Sequence, residues 1–517
     1  MGAEYSGKLI TDGLENMDCG AVQAEERASG VACAREWEAM LEKPPSMHPT
    51  CIRTSDHPAI GRLVYRKSNA LDHAAIELNC GPTHVKTGEQ DRVTRPTAPH
   101  TVDPEFKSTR LRIVTMAGGW YAVLRYHVTP PLFLVFFPGV VNFMALWGQG
   151  ERDVTWGLAA SKALGNSFSW AVVGVLVLWA SVWLHVPARA TLGPPTKFGY
   201  RPPYKDNGVL YYWVSLTAFF ILEALFPGLS TALFLNMPEL LGSLNVSALL
   251  LCGLLFVKGR YLPDHPQDKQ PSRPVLYEFF TGLELHPRLL GMDVKQLTNC
   301  RVGLMAWQLL IIAFYIAGVE RHGFNIAALV NLLLQSMYLA KFFWWEYGYF
   351  NTLDIILDRA GYYICWGCLV WVPCLYTFSS YYLVAHPPQI SNLAAVGAAL
   401  LGVFRSAPNG KCVLWGKPAR YIVANLVSSP GKSRKLLVSG FWGVARHLNY
   451  TFELVATLAW CLPGWGLGLW PFLYFYFLVA LLVHRTFRDE EKCSVQYGDS
   501  WELYCKEVPY RLVPYVF

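Results

Sequence analysis

The chain has 517 residues, of which 53% are hydrophobic and only 16% are charged, a balance that indicates a membrane protein rather than a string of soluble domains. Its formal net charge of +7 is mild. It suits loops beside an anionic membrane surface or a phosphate-bearing ligand, and it gives no reason to expect a nucleic-acid partner. The 13 cysteines are scattered, several of them within apolar runs, so they predict core packing rather than a disulfide framework.

The first part of the chain is polar. Residues 1–115 are rich in Gly, Pro, Thr, His and charged residues, and they contain no sustained apolar run. A segment of this composition cannot bury enough apolar surface to fold. We therefore predict a mostly disordered cytosolic extension over residues 1–115 and a membrane domain over residues 116–517.

Apolar runs recur through the rest of the chain. Crossing roughly 30 Å of hydrocarbon takes about 20 helical residues, and the longer runs reach that length. The sequence therefore predicts an all-α multi-pass membrane protein with about ten transmembrane helices. The predicted spans lie near residues 131–148, 167–188, 209–226, 243–258, 302–320, 326–345, 362–384, 392–404, 451–470 and 471–484.

Basic residues are distributed unevenly between the connecting loops. If the N-terminus is cytosolic, the loops on the far side contain only Arg152, Lys162 and Arg321. Because cytosolic loops carry an excess of Lys and Arg, this asymmetry predicts one orientation, with both termini in the cytosol. The loops that then share the cytosolic side are 189–208, 258–301, 405–447 and 484–517.

Ionisable side chains interrupt the sixth run and the loop after it, at Tyr338, Lys341, Glu346 and Asp354. A charged group at mid-membrane costs about 2.5–3.5 kcal/mol, so these side chains are expected to face the bundle interior or a watery cavity. Lys341 and Glu346 could instead snorkel to the surface. Tyr338 and Lys341 are three residues apart on a helix and share a face, where they could line one pocket.

A polar and aromatic stretch, residues 435–450, precedes the ninth run. In this stretch Trp442 could stack on a flat ring and Arg446 could bind a phosphate. Asn449 and Tyr450 could hydrogen-bond an amide or a ribose. We interpret these residues as part of a ligand-binding loop.

The end of the tenth run is the second dense site, because charged residues crowd residues 484–492. On a helix, Arg485, Asp489 and Cys493 recur every four residues and share one face. The cluster is either a charged cap that holds a transmembrane helix at the interface or a site of chemistry.

Missing motifs exclude several chemistries. No G-x-G-x-x-G follows a strand, so a Rossmann domain is not expected. No HExxH, paired CxxC or P-loop is present, and Cys365 and Cys368 form their CxxC inside an apolar segment, so we predict no metal site. What remains is a membrane pocket beside basic and aromatic loops, which suits hydride transfer from a soluble dinucleotide to a buried lipid.

Two stretches resemble the signatures of the sterol reductase family. Glu284, Pro287 and Arg288 resemble the first signature, with His286 in place of the usual asparagine and Glu278 where many members have aspartate. The second signature is matched more fully, with Gln496 where the family has lysine. The residues that match it are Leu482, Val483, His484, Arg485, Arg488, Asp489, Cys493, Tyr497 and Gly498.

The resemblance extends over about residues 118–517. The family comprises sterol C14 reductases, the lamin B receptor and the sterol Δ7 (7-dehydrocholesterol) reductases, and this chain looks most like the plant-type Δ7 reductases. The stretches that carry this likeness begin at Lys341, Asp358, Asn409 and Ser439.

The resemblance implies an enzyme of the endoplasmic reticulum membrane that uses NADPH to reduce the C7–C8 double bond of 5,7-diene sterols, with cytosolic cofactor-binding loops. It leaves room for complexes with other enzymes of sterol biosynthesis. Tyr338 and Asp489 match the family's proton-donor pair. The residues that match its NADPH site are Arg405, Leu437, Trp442, Asn449, Tyr450, Asp489, Cys493, Ser494, Val495, Gln496, Tyr497 and Tyr504.

Two departures from the family pattern keep alternatives open. The basic, glutamine-rich stretch that the family carries ahead of Arg405 has no counterpart in residues 398–412. Gln496 keeps hydrogen bonding but loses the charge of the family's lysine, which weakens the expected contact with a phosphate. These departures keep a noncatalytic sterol-binding membrane protein as an alternative. A sterol C14 reductase is the alternative enzyme within the family.

Overall fold

The computed structural model of the protein describes residues 123–268, 273–403, 413–414, 417–418, 420–427 and 433–517. Ten of its helices correspond to the ten predicted runs. They are α1 (Leu124–Gly148), α2 (Ser167–His185), α3 (Gly208–Leu225), α4 (Met237–Tyr261), α5 (Gln296–His322), α6 (Ile326–Trp344), α7 (Tyr362–Ala385), α8 (Asn392–Val403), α9 (Leu448–Cys461) and α10 (Leu473–Tyr497).

In the described part of the chain, 8 helices are long and apolar enough to cross a membrane. Helices α8 and α9 have 12 and 14 residues and are shorter than a full span. The prediction of an all-α, multi-pass membrane fold is confirmed. Shorter helices connect the long ones: Trp156–Ser161, Leu229–Leu235, Val275–Thr281, Glu346–Tyr349, Leu353–Ile356 and, after α10, the helix α11 (Asp499–Glu507).

Local polar groups and special backbone residues set the helix ends. The Asn166 side chain accepts from the Ser169 backbone N–H, and the Ser169 hydroxyl oxygen accepts from the Asn166 backbone N–H. This pair of hydrogen bonds caps the start of α2. The Asn325 side chain caps α6 with a single hydrogen bond, which it accepts from the Ala328 backbone N–H. After α5 the chain turns at Gly323, whose φ of 78° favours glycine.

The predicted ninth and tenth spans differ from the helices that the structure contains. Helix α9 ends at Cys461, and two short 3-10 turns, Leu462–Gly464 and Trp470–Phe472, follow it. Each turn contains a proline in its first positions, and proline cannot continue an existing helix. Helix α10 then runs beyond the predicted end at 484 to Tyr497.

Helices α5 and α7 form the centre of the bundle. Their apolar segments are 72% and 78% buried, whereas the other spans are at most 44% buried. Trp307, Phe314 and Trp366 are among the largest side chains of this core. The outer helices expose large apolar side chains such as Leu178 and Leu250, as expected of surfaces that face lipid.

Contacts between loops sort them into two ends, as alternating spans require. One end, which we call the opposite end, joins the loop after α1 to the first turn of α4 through Lys162 and Glu239, 2.6 Å apart. The other, which we call the basic end, joins the loops after α2 and α4 through Arg288, whose guanidinium donates to the Pro203 carbonyl over 2.6 Å. The C-terminal part of α10 also lies at the basic end, where Arg488 pairs with Asp358.

Four antiparallel two-stranded sheets add β structure to the basic end, an addition that the prediction lacked. In the largest, Tyr421 pairs with Leu437, and its inner face packs against α10 and α11 in a small apolar cluster. The strands are β1 (Ala190–Leu192), β2 (Pro203–Lys205), β3 (Arg288–Leu289), β4 (Met292–Asp293), β5 (Val413–Leu414), β6 (Lys417–Pro418), β7 (Tyr421–Asn425) and β8 (Ser433–Leu437).

Candidate functional site

Helix α10 carries the second signature as one uninterrupted helix. Thr486, Asp489, Cys493 and Tyr497 recur at spacings of three and four residues, so they share one face. That face is buried, and Asp489 is only 1% exposed. A carboxyl group that merely anchored a helix at a membrane surface would remain in water, so Asp489 is not a surface cap.

The Asp489 carboxyl group has one partner and one open oxygen. The Tyr450 hydroxyl donates a hydrogen bond to Asp489 Oδ2 over 2.9 Å. Within the described residues no donor reaches Asp489 Oδ1, although that oxygen is buried. A buried polar atom without a partner costs about 1–3 kcal/mol, and more when it is charged. This oxygen is therefore available to a proton or to a ligand's donor.

Tyr338, the other predicted proton donor, lies on α6 in an aromatic surround. Its hydroxyl group donates to Glu453 Oε1 over 2.8 Å. Its ring centroid lies 5.6 Å from that of Trp307 and 5.7 Å from that of Trp460. The phenol is thus fixed both by a carboxyl group and by two indole rings.

Helix α9 joins the two predicted proton donors. Tyr450 and Glu453 are three residues apart on it and lie on the same side of the helix. The structure therefore pairs Asp489 with Tyr450 and Tyr338 with Glu453. Sequence reasoning missed Glu453, although it is the only Asp, Glu, Lys or Arg between residues 448 and 470, and an isolated charge in an apolar run is a signal of function.

The chain that leads from β8 into α9 brings three more predicted cofactor residues to this region. Leu437 is buried at the end of β8. Trp442 follows in a half-buried 3-10 turn, Gly440–Gly443. Asn449 lies in the first turn of α9, and its Oδ1 is a second buried acceptor without a partner among the described residues.

The remaining predicted residues divide into a buried and an exposed group. Cys493, Tyr497 and Tyr504 pack in the apolar cluster with β7 and β8. Burial raises the pKa of Tyr504 above its ordinary value, and its hydroxyl group has no partner within the described chain. By contrast, Val495 is 74% exposed and Ser494 is exposed as well.

Gln496 is half-buried, and its backbone carbonyl accepts from the Val427 N–H over 3.0 Å. The structure therefore leaves its side chain amide at the edge of the buried group. Arg405, the remaining predicted cofactor residue, lies outside the described residues, as do residues 404–412 of the shortened stretch.

Arg446 binds protein partners in this structure, and its contact with a phosphate stays a prediction. Its Nη2 donates to Glu490 over 2.6 Å, and its Nη1 donates to the carbonyls of Val508 and Pro509 over 2.6 and 3.0 Å. Arg511 also pairs with Glu490, at 2.9 Å. Arg446 therefore fastens the C-terminal segment to α10.

The loop between α6 and α7 supplies counter-charges to α10. Asp354 and Asp358 pair with Arg485 and Arg488 over 3.5 and 3.2 Å. Burial raises the pKa of Asp358, and Arg488 opposes that shift. Lys295 fixes this loop, since its buried ammonium donates to the carbonyls of Asp354, Ile355 and Asp358. Burial lowers the pKa of Lys295 to about 8.

Glu346 faces the interior instead of the surface, because it is only 3% exposed and forms a buried ion pair with Arg301. Asn207 Oδ1 accepts from the same guanidinium over 2.8 Å. The Lys341 ammonium lies 5.3 Å from the ring centroid of Trp345. Tyr338 and Lys341 thus share a helix, but each has its own partner.

The residues of the first signature contact other groups of the protein. Glu284 accepts from the Lys258 ammonium over 3.0 Å and from the Asp264 N–H over 2.6 Å. His286 lies 3.3 Å from the Tyr204 hydroxyl oxygen. Burial lowers the pKa of His286 to about 2, and the nearby Lys295 adds to the shift. As for metals, no group of three or more His, Cys, Asp or Glu within the described ranges could hold an ion.

The sequence of this chain is similar to those of known proteins. Residues 103–517 match the family model described as "Ergosterol biosynthesis ERG4/ERG24 family". A 7-dehydrocholesterol reductase of Arabidopsis thaliana is 36% identical over 357 residues, which cover 65% of this chain and 82% of the relative. A 7-dehydrocholesterol reductase of Xenopus laevis is 35% identical over 386 residues, which cover 68% of this chain and 81% of the relative.

A Delta(14)-sterol reductase of Methylotuvimicrobium alcaliphilum is 30% identical over 412 residues, which cover 75% of this chain and 94% of the relative. The family match includes helices α1 to α10 and both hydrogen-bonded pairs in which α9 takes part. The chain therefore belongs to the ERG4/ERG24 family.

Proposed function

We propose that the protein is an NADPH-dependent sterol reductase that saturates the C7–C8 double bond of 5,7-diene sterols. Its family and the two relatives named 7-dehydrocholesterol reductase support this proposal. The observation that carries it is the geometry around α9, where each predicted proton donor forms a hydrogen bond inside the bundle.

The reaction needs a shielded acid. A proton added to one alkene carbon leaves carbocation character on the other, and the acid must be kept from bulk water to act at neutral pH. Asp489 meets this requirement because it is buried. Tyr338 meets it because its ring contacts two indoles of the core. Both residues are proposed to hold or move the proton.

The open polar atoms fit a nicotinamide cofactor. NADPH, when bound, supplies the hydride. Asp489 Oδ1 and Asn449 Oδ1 are buried acceptors, and the Tyr504 hydroxyl can donate or accept. A carboxamide and ribose hydroxyls carry the complementary groups, and Trp442 offers an aromatic face to a flat ring.

A sterol C14 reductase is the second candidate. The bacterial Delta(14)-sterol reductase matches a larger share of this chain, 75%, than the two 7-dehydrocholesterol reductases do, at 65% and 68%. Its identity of 30% is lower than their 36% and 35%. The identity favours the Δ7 reaction, and the coverage keeps the C14 reaction as the alternative.

The proposal includes a location and a domain boundary. The protein would lie in the endoplasmic reticulum membrane. Its basic end would face the cytosol, because cytosolic loops are enriched in Lys and Arg. The sterol would reach the site from the surrounding lipid. Residues 1–115 would form an extension that the reaction does not need.

A sterol profile in yeast tests the function. The full chain and residues 116–517 are expressed in yeast that accumulates 5,7-diene sterols, and extracts are analysed by gas chromatography and mass spectrometry. We expect the diene to decrease and the Δ5 sterol to increase with both proteins. A strain that accumulates C14-unsaturated sterols, tested in parallel, decides between the two candidate reactions.

The full chain with Asp489→Asn is the matched control, because it preserves the shape of the site. If the protein is present and both sterols persist in the two strains, the reductase proposal is wrong and a noncatalytic sterol-binding protein is favoured. If the full chain is active and residues 116–517 are inactive, the proposal that the reaction does not need residues 1–115 is wrong.

A further inference from the structure

The indole of Trp460, on α9, is a buried hydrogen-bond donor without an acceptor. The residue is only 2% exposed, and no acceptor within the described residues reaches its Nε1. An indole nitrogen keeps its proton and can only donate. The open group is therefore a donor, whatever the charge state of the side chains around it.

Two other fully buried indoles of the core have acceptors. Trp307 donates to Gln335 Oε1 over 2.9 Å, and Trp366 donates to Asn245 Oδ1 over 2.7 Å. Buried polar groups are normally paired, so an unpaired one in a folded protein calls for an explanation. A ligand that brings an acceptor to Trp460 would provide it.

Trp460 lies beside the predicted proton donor. Its ring centroid is 5.7 Å from that of Tyr338, and the two ring planes meet at 65°. The ring of Tyr474 stacks on Trp460 with centroids 6.0 Å apart. The open donor and the proton donor thus belong to one aromatic region of the bundle interior.

Helix α9 arranges three groups in order from the basic end. Tyr450, which donates to Asp489, comes first, and Glu453, which accepts from Tyr338, follows within one turn. Trp460 follows two turns later, about 10 Å further along the axis and on nearly the same side of the helix. The helix therefore leads from the predicted cofactor contact through the proton donor to the open indole.

We propose that the Trp460 indole binds the 3-hydroxyl group of the sterol and thereby selects the double bond that Tyr338 reaches. This inference rests on the proposed function, because it takes a sterol as the ligand and Tyr338 as the proton donor. The hydroxyl group is the only hydrogen-bonding group of a 5,7-diene sterol whose side chain is a hydrocarbon. It is therefore the acceptor that such a ligand offers to a buried N–H.

The position of that hydroxyl group separates the two candidate reactions. It is attached to ring A of the sterol, and the C7–C8 bond belongs to ring B, which is fused to ring A. The C14–C15 bond belongs to ring D, two rings further away. Because the rings of Trp460 and Tyr338 are neighbours, a sterol held at Trp460 by its hydroxyl group presents the nearer double bond to Tyr338. The contact therefore favours the Δ7 reaction.

The kinetic test compares two sterols and two proteins. The purified full chain and its Trp460→Phe variant are assayed with a 5,7-diene sterol and with the same diene lacking the 3-hydroxyl group. We expect removal of the hydroxyl group to lower the kcat/KM of the wild type about 10-fold. In Trp460→Phe, which keeps an aromatic ring but has no N–H, the two sterols should react equally slowly.

Trp366→Phe is the matched control, since it removes an equally buried indole whose N–H donates to Asn245. It should preserve the ratio between the two sterols even if it lowers both rates. Equal kcat/KM values for the two sterols in the wild type would overturn the proposal. A ratio in Trp460→Phe as large as in the wild type would also overturn it.

NMR of the protein with isotope-labelled tryptophan, in the absence of NADPH, gives a readout that does not depend on turnover. We expect one indole N–H resonance of the wild type to move downfield when the hydroxylated diene is added and to stay in place with the deoxy diene. Trp460→Phe should lack that resonance.

Indole resonances of the wild type that respond equally to both sterols would overturn the proposal, and this comparison needs no variant to fold. A wild type that binds the sterol but reduces none would overturn the proposed function. The spectrum would still decide whether an indole N–H binds the hydroxyl group.

Discussion

Neighbouring acids on α10 serve different partners. Asp489 accepts from Tyr450 and keeps one oxygen open, whereas Glu490 is shared by Arg446 and Arg511. Because adjacent helical residues point about 100° apart, one acid faces the bundle interior and the other faces the C-terminal segment. The signature thus places an acid with an open oxygen next to an acid that binds the C-terminal segment.

Replacing Asp489 tests the chemical role. We expect Asp489→Asn to lower kcat by about 10²–10⁴-fold, because the amide keeps the shape of the carboxyl group but cannot supply a proton. Turnover by the purified variant, compared with the exposed Glu491→Gln on the same helix, is the measurement. An active Asp489→Asn protein would exclude Asp489 as a proton source.

Gln496 allows a test of the cofactor's charge. We expect Gln496→Lys to lower the KM for NADPH several-fold, since an ammonium attracts a phosphate more strongly than an amide does. Glu502→Gln, on the exposed face of α11, changes the net charge by the same amount and should have a smaller effect. An unchanged KM in Gln496→Lys would contradict a phosphate at this position.

His286 makes stability depend on pH. Its folded-state pKa is lowered from 6.5 to about 2 by burial, so below pH 6.5 the unfolded chain binds a proton that the folded chain does not. The stabilising contribution is present above pH 6.5 and is lost as the pH falls toward 2, by up to about 1.4 kcal/mol per unit. Melting of the solubilised protein at pH 7.5 and 5.5 should show a loss that His286→Asn reduces.

The control for this measurement is His127→Asn, because His127 is exposed. It should leave the difference between the two pH values as large as in the wild type. Equal pH dependence in the wild type and His286→Asn would show that other groups cause the loss of stability at low pH.

At the scale of elements, the C-terminal segment is fastened to α10 through Arg446. Its side chain is 5% exposed, and its guanidinium binds Glu490 together with two backbone carbonyls. Arg446→Ala would leave the carbonyls of Val508 and Pro509 without this donor. A broken buried ion pair typically costs about 3–5 kcal/mol, although Arg511 still compensates Glu490.

We therefore expect Arg446→Ala to lower the thermal midpoint of the detergent-solubilised protein by several degrees. The exposed Arg152→Ala at the opposite end serves as the matched control. A midpoint equal to that of the wild type would mean that this connection contributes little to stability.

The helices were predictable because apolar composition over a span's length is a local property. All ten predicted runs contain a helix, but the ends of α9 and α10 were placed incorrectly. Pro463 follows the end of α9 at Cys461, and α10 continues into polar sequence because tertiary contacts bury Asp489, Cys493 and Tyr497. Neither the short hairpins nor the bond between Tyr338 and Glu453, 115 residues apart, follows from local patterns.

The site was predictable only in part for the same reason. The signature residues identify Asp489, and an interrupted apolar run identifies Tyr338, since each signal lies within a short stretch. That Arg446 is consumed by Glu490 and the C-terminal carbonyls depends on residues 44 to 63 positions away. Basic residues near a binding loop cannot be assigned to phosphate before such partners are known.

At the scale of the whole molecule, the two ends of the bundle predict its orientation. We expect an acceptor site for N-glycosylation to be modified when it is inserted after Gly150, at the opposite end, because that end would face the lumen. The same acceptor site appended after Phe517 should remain unmodified. The reverse result, seen by mobility before and after deglycosylation, would invert the proposed topology.

The continuity of α10 has a consequence for how the molecule tolerates change. Tyr474, whose ring stacks on that of Trp460, and Asp489, which accepts from Tyr450, lie on one continuous helix of 25 residues. Adding or removing a single residue between them would turn one end by about 100° relative to the other. The carboxyl group would then point away from Tyr450 while the rings stayed in place. The number of residues between Tyr474 and Asp489, more than the identity of the intervening side chains, therefore sets the direction of the carboxyl group relative to the membrane core.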